Sequence, residues 1–103
     1  MTRAMSTVEF SKLVGETSWG IAPANPFGSF VRKIHGVGCH RMLMRNKFHY
    51  NSSMEAGERD VQKAVRDHEC SFKRRFPMLK DVEVEHRWGG RLCLSWNNVP
   101  VFG

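Results

Sequence analysis

A helical stripe that stops at a proline does most to constrain this chain. Val61, Ala64, Val65, His68 and Phe72 fall on one face at helical spacing. Ser52 followed by Glu55 has the form of a capping box and is expected to start the helix. Pro77 cannot continue it, so the helix must end at or before Phe76. Arg59, Lys63, Arg66, Asp67 and Lys73 take the other face and are predicted to be solvated. His68 in the apolar stripe is read as a packing histidine rather than a ligand. A helix with one apolar face needs a surface to cover, and the rest of the sequence offers strands.

Phe30 to Ile34 is a predicted strand, His35-Gly36-Val37-Gly38 a turn, and residues 41–50 the returning strand. A short loop makes antiparallel pairing the simplest arrangement. Upstream, residues 7–14 suit either a short helix or a strand. Two prolines and a glycine make residues 21–28 extended or turning. Further on, Val82, Val84, His86 and Trp88 alternate with charged residues, and Leu92, Leu94 and Trp96 continue on even numbers. A two-residue hairpin at Gly89-Gly90 would set Glu85 opposite Leu94 and put the two apolar sets on opposite faces. One long strand over residues 82–96 keeps them together, with Gly89-Gly90 as a bend, a bulge or a point of close approach. The reversal then falls at Asn97-Asn98. The last residue, Gly103, comes just as the next strand begins, so the end reads as a truncation. These elements predict an α+β fold: a mostly antiparallel sheet with one main helix packed on it.

A length of 103 residues allows one small domain, residues 1–103. The apolar share of 41% and aromatic share of 11% suit a folded chain. No apolar run approaches the ~20 residues of a membrane helix. Met1-Thr2-Arg3-Ala4-Met5 has a positive charge but no apolar stretch after it, so a signal peptide is not expected and a cytoplasmic location is. Cys39, Cys70 and Cys93 form no C-x-x-C pair and are read as reduced thiols. The net charge of +6 is spread along the chain among Glu and Asp, which favours a mixed basic surface over a nucleic-acid face. No G-x-G-x-x-G, P-loop, H-E-x-x-H or G-x-S-x-G is present, and no His or Cys spacing suits zinc. Cys39 and His40, adjacent on a strand, should point to opposite faces rather than act as a nucleophile–base pair.

Three stretches are familiar as an ordered set. They are Trp19-Gly20-Ile21-x-Pro23-Ala24-Asn25-Pro26-Phe27-Gly28, then Met44-Arg45-Asn46-Lys47-Phe48-x-Tyr50, then Arg75-Phe76-Pro77-Met78-Leu79-x-Asp81-Val82. The last runs on to Trp88-Gly89-Gly90-Arg91-Leu92 and Asn98-Val99-Pro100-Val101-Phe102-Gly103. The set resembles the substrate-binding, flavin-covering domain of FAD-dependent oxidoreductases of the D-amino-acid oxidase-like (DAO) family, most of all its γ-glutamylputrescine oxidase-type members. The resemblance covers nearly the whole chain. It implies a fragment of an enzyme that oxidises a C–N bond of a small amine or amino acid by hydride transfer to FAD.

Family members hold FAD through an N-terminal βαβ unit with a glycine-rich turn, a Rossmann portion this sequence lacks. No FAD is therefore expected on this chain alone, and no activity, since the cofactor carries the redox chemistry. By the resemblance Trp88, Gly89 and Gly90 line the cavity, with Arg91 as the cation for a substrate carboxylate. Glycine-oxidase-like relatives carry that arginine one position later, where this chain has Leu92. Arg45 and Tyr50 are further candidates for the wall. Each has a plainer reading: Trp88 as core, Arg91 as a surface cation, the glycines as a bend. The family's sheet is covered in part by the FAD domain. Trp88, Leu92, Leu94, Trp96, Val101 and Phe102 are thus expected to leave a patch that a homodimer would bury. The alternative is a small basic module that binds protein or nucleic acid.

Overall fold

β2 (Phe30–Ile34) and β3 (Arg41–Arg45) pair antiparallel along their whole lengths, with Phe30 opposite Arg45 and Ile34 opposite Arg41. β1 (Trp19–Ile21) joins the free side of β2, so the sheet order is β1-β2-β3. The computed structural model describes residues 1–25, 27–46, 48–53 and 55–90. In the hairpin turn Gly38 adopts φ 66°, and the Cys39 N–H donates to the Gly36 carbonyl at 3.1 Å. A side chain at Gly38 would be strained in that left-handed conformation. The returning strand stops at Arg45 rather than Tyr50 because its partner runs out. Before Phe30 the chain turns away, with the Gly28 N–H on the Asn25 carbonyl at 2.8 Å, and the Ser29 hydroxyl donates to the buried Asn46 side chain.

Residues 7–14 resolve as a helix, α1 (Thr7–Ser11). Its start is a capping box. Ser6 Oγ accepts from the Glu9 N–H at 3.2 Å, and Glu9 Oε2 accepts from the Ser6 N–H at 2.9 Å. Arg3 grips the same carboxylate at 2.7 and 3.1 Å. The Arg3 guanidinium, helped by the Ser6 N–H, holds the Glu9 carboxyl down at about 2 against an ordinary 4.5. A depressed carboxyl stabilises the fold above its unfolded value and loses that contribution as pH falls through the folded one. The advantage of wild type over Glu9→Gln in thermal unfolding should thus be full above pH 4.5 and vanish as pH falls through about 2. A difference constant across that range would contradict this role.

The main helix, α2 (Glu58–Arg75), starts later than the Ser52–Glu55 pattern implied. Its N-cap is Gly57, with no side-chain cap. Asn51 instead draws the preceding residues into a turn, accepting from the Ser53 N–H at 3.0 Å and donating to the Glu55 carbonyl. Glu58 and Asp60 in the first turn, and Lys73, Arg74 and Arg75 in the last, complement the helix dipole. The end falls where Pro77 requires. The Phe76 N–H donates to the Phe72 carbonyl at 2.8 Å, and Pro77 opens a 3₁₀ turn, Pro77–Leu79. On the apolar stripe Phe72 is buried and Ala64, Val65 and His68 are half-buried, whereas Val61 is exposed.

The core joins one face of the sheet to both helices. Val31 and Met42 meet Met5, Phe10 and Leu13 from the N-terminal part and Phe72, Phe76, Leu79 and Val82 from the C-terminal part. Lys33 shares the face of Val31 and is only 3% exposed. Its Nζ donates to the carbonyls of Leu13 at 2.8 Å and Glu16 at 3.2 Å, and lies 4.5 Å from the centre of the Phe10 ring. Two carbonyls and a ring face around the charge make the buried ammonium tolerable.

The first five residues are a structural element that the sequence reading missed. On one side the Thr2 N–H donates to the Met42 carbonyl at 2.9 Å, Thr2 Oγ1 accepts from the Met42 N–H at 2.9 Å, and the Met5 N–H reaches the His40 carbonyl at 2.8 Å. On the other side the Arg3 N–H donates to Glu83 at 2.9 Å, and the N–H groups of Glu85 and His86 converge on the Met1 carbonyl. The segment thus ties residues 83–86 to β3.

This corrects the expectation of one long strand over residues 82–96. Within residues 82–90 only Val84 makes a ladder contact, a single bridge to Thr2. Val82 is buried and Val84 half-buried, but His86 and Trp88 are exposed, so the alternation loses its buried side after Val84. The backbone contacts of this stretch with residues 1–3 are Arg3 with Glu83, and Glu85 and His86 with Met1. The reversal at Asn97-Asn98, Arg91, and the remaining patch residues Leu92, Leu94, Trp96, Val101 and Phe102 lie outside the described residues.

Candidate functional site

Ladder register decides which candidate residues share an end of the molecule. Met5 bridges His40 and Thr2 bridges Val84, both antiparallel. Two antiparallel steps leave residues 83–86 running parallel to β3. Arg45, at the end of β3, and Trp88, just beyond residues 83–86, therefore emerge at the same end of the sheet. Tyr50 follows the first and Gly89-Gly90 the second.

At that end Arg45 is the best defined of the candidates. Its guanidinium carbon lies 5.9 Å from the Phe30 ring centre and 5.1 Å from that of Phe48, within cation–π range. Phe27 meets Phe48 edge-on at 5.7 Å. Trp88 is 67% exposed and Tyr50 95% exposed, and neither stacks on another described ring. A β-carbon added at Gly89 or Gly90 would meet nothing within 4 Å among the described residues. Neither glycine belongs to a strand among the described residues. Trp88 is not part of the core cluster of the described residues.

Arg87 positions the Trp88 segment. Its guanidinium grips Glu69 of α2, with Nε on Oε1 at 3.0 Å. Nearby Glu85 pairs with Arg41, which also donates to the Thr2 carbonyl at 2.8 Å. The Arg41 guanidinium lowers the Glu85 carboxyl below the usual carboxylate range. Fixed at both ends, residues 83–87 aim the three following residues outward. The phenylalanines around Arg45 escaped notice in the sequence. The Phe30–Arg45 pair becomes visible once the hairpin register is counted outward from Gly38.

Elsewhere the described His and Cys side chains make packing and surface contacts. His40 stacks on Phe10 at 4.2 Å, and its Nδ1 lies 3.1 Å from that of His35. Cys39 Sγ faces Arg41 Nε at 3.1 Å, so the thiol and the neighbouring imidazole diverge. No group of three or more His, Cys, Asp or Glu side chains able to hold a metal converges among the described residues. Two open depressions lie beside α2, one along Arg66, Cys70 and Arg74, the other between Phe72 and residues 80–87. Neither includes Arg45, Tyr50 or Trp88. No described helix is long and apolar enough to cross a membrane.

No family model matches the chain, and no solved structure matches it. A curated relative does. Over 64 residues, 62% of this chain, it is 30% identical to the gamma-glutamylputrescine oxidoreductase of Escherichia coli strain K12, and that stretch spans 15% of the relative's length.

Proposed function

We propose that the chain is part of the substrate-binding, flavin-covering domain of an FAD-dependent amine or amino-acid oxidoreductase of the DAO family. The observation that carries this reading is the 64-residue likeness to an oxidoreductase of a γ-glutamyl amine. The α+β fold is compatible with it, and so is the shared end of the sheet from which Arg45 and Trp88 emerge.

The described residues suit covering a flavin rather than holding one. With no described side chain over Gly89 or Gly90, a flat ring could approach the backbone there. FAD, when bound, would accept hydride from the carbon of the substrate's C–N bond. The chain's own share is to bind and orient. Arg45, with its aromatic neighbours, and Arg91 would supply positive charge for a substrate carboxylate. Trp88 and Tyr50 would close apolar surface over the substrate, raising the strength of those charge contacts by excluding water.

The genomic frames flanking the coding segment test this reading. An upstream frame encoding a strand, a G-x-G-x-x-G turn and a helix is expected, because the pyrophosphate of FAD needs backbone N–H groups at a helix start. Long flanking frames that encode an unrelated fold would contradict it.

A further inference from the structure

We propose that His35 and His40, facing each other across the hairpin turn, form a two-imidazole site for a divalent transition metal of the nickel–copper–zinc group. The site lies at the end of the sheet away from Arg45, and the inference is independent of the oxidoreductase reading. Hairpin register brings the two residues together. Ile34 pairs with Arg41, so the next position in the same count sets His35 opposite His40. Opposed residues on one face of an antiparallel pair hold their side chains within reach of each other. Their parity is that of Val31 and Met42, and both rings lie beside Phe10 of α1, with centres 5.8 and 4.2 Å from its own. The stack on Phe10 steadies the half-buried His40 ring. The His35 N–H, donating to Ser18 Oγ at 3.2 Å, steadies the backbone opposite.

Distance decides the chemistry. The two Nδ1 atoms are 3.1 Å apart. With metal–imidazole bonds of about 2.0–2.1 Å, two nitrogens on one ion stand about 2.9 Å apart at a right angle and about 3.3 Å apart at the tetrahedral angle. The observed separation falls between these. One ring can donate its Nδ1–H to the other, and transfer of that hydrogen to the donor ring's Nε2 frees both lone pairs with no proton lost overall. Imidazole suits nickel, copper and zinc, whereas magnesium and calcium take oxygen donors. Lys33, on the same face, directs its ammonium to the carbonyls of Leu13 and Glu16. No third His, Cys, Asp or Glu among the described residues completes the set, so water would fill the remaining positions. Such a site is open and exchangeable, unlike a closed structural centre.

Isothermal titration of the full chain with nickel(II) tests the proposal. Saturable binding is expected, without the thiolate-to-nickel absorption in the near ultraviolet that capture by Cys39, Cys70 or Cys93 would give. His35→Ala and His40→Ala should each weaken it at least about tenfold, since even the groups that support a metal ligand count for about 10–100-fold. His49→Ala, at an exposed position outside the hairpin turn, should leave it unchanged. His35 is exposed, so its replacement keeps the fold even where loss of His40 disturbs the packing on Phe10. Nickel should also raise the melting temperature of the wild-type chain and leave that of His35→Ala in place, because a ligand stabilises only the state that binds it. No saturable uptake at millimolar nickel would overturn the proposal. So would uptake accompanied by thiolate absorption, undiminished affinity in His35→Ala, or an equal loss in His49→Ala.

Discussion

Replacing Phe72 by alanine is expected to cost about 3–5 kcal/mol of stability, the range for deleting a buried phenyl ring. Phe72 is 3% exposed, the buried residue of α2, and joins Val31 and Met42 of the sheet in the core cluster. It also meets Phe76 with ring centres 5.5 Å apart, so the loss loosens the proline-bounded end of the helix. Domains of this size have about 5–15 kcal/mol in total, so the variant should be close to unfolding at ambient temperature. Val61→Ala is the matched control. Val61 is 44% exposed, and its removal should stay within about 0.5 kcal/mol. Urea unfolding reads both, and equal midpoints would mean that α2 is not docked through Phe72.

Met42→Ala is the second large effect, expected at about 2–5 kcal/mol. Met42 is 1% exposed at the centre of the core face, opposite Lys33 in the ladder. Its backbone N–H and carbonyl bind Thr2, and the substitution leaves those groups in place, so the loss measures side-chain packing alone. Met78, 46% exposed, gives a chemically matched control whose replacement should cost within about 0.5 kcal/mol. Comparable losses at Met42 and Met78 would contradict the placement of the core.

Where the chain's structure was legible, the signal was local. Phe30–Ile34 was readable as a strand, its partner from the glycines between them, and the end of α2 from Pro77, because each depends on neighbours within a turn or two. Ser52 and Glu55 misled because a capping box needs only two residues, and the sequence carries the same pattern at Ser6 and Glu9, where it does cap a helix. The side chain of Asn51, able to bond backbone on both sides, decided against the later pattern. Residues 1–5 were invisible because their partners, His40, Met42 and Glu83, are distant in sequence, and no turn signal joins them. The alternation from Val82 onward was real, but parity constrains a strand only while a neighbour remains to pair with it.

The candidate site was legible to the same degree. Arg45 could be named from its motif, but its phenylalanine neighbours come from the hairpin register and from the turn before β2. Trp88, Gly89 and Gly90 were named as a strand segment, and instead they project beyond the last ladder contact. Burial of Lys33 had no sequence signal beyond its parity with Val31, and parity alone does not say which face of a sheet is covered.

Whether this chain can serve as a substrate-binding domain is open to test in a chimaera. The 64 matched residues would replace their counterpart in gamma-glutamylputrescine oxidoreductase, with folding of the product verified by circular dichroism and gel filtration. A folded chimaera is expected that still oxidises the enzyme's substrate at a reduced but measurable rate, and that loses further activity when Arg45 is changed to alanine. A folded chimaera with no oxidation of that substrate would contradict the assignment of this chain to a substrate-binding domain.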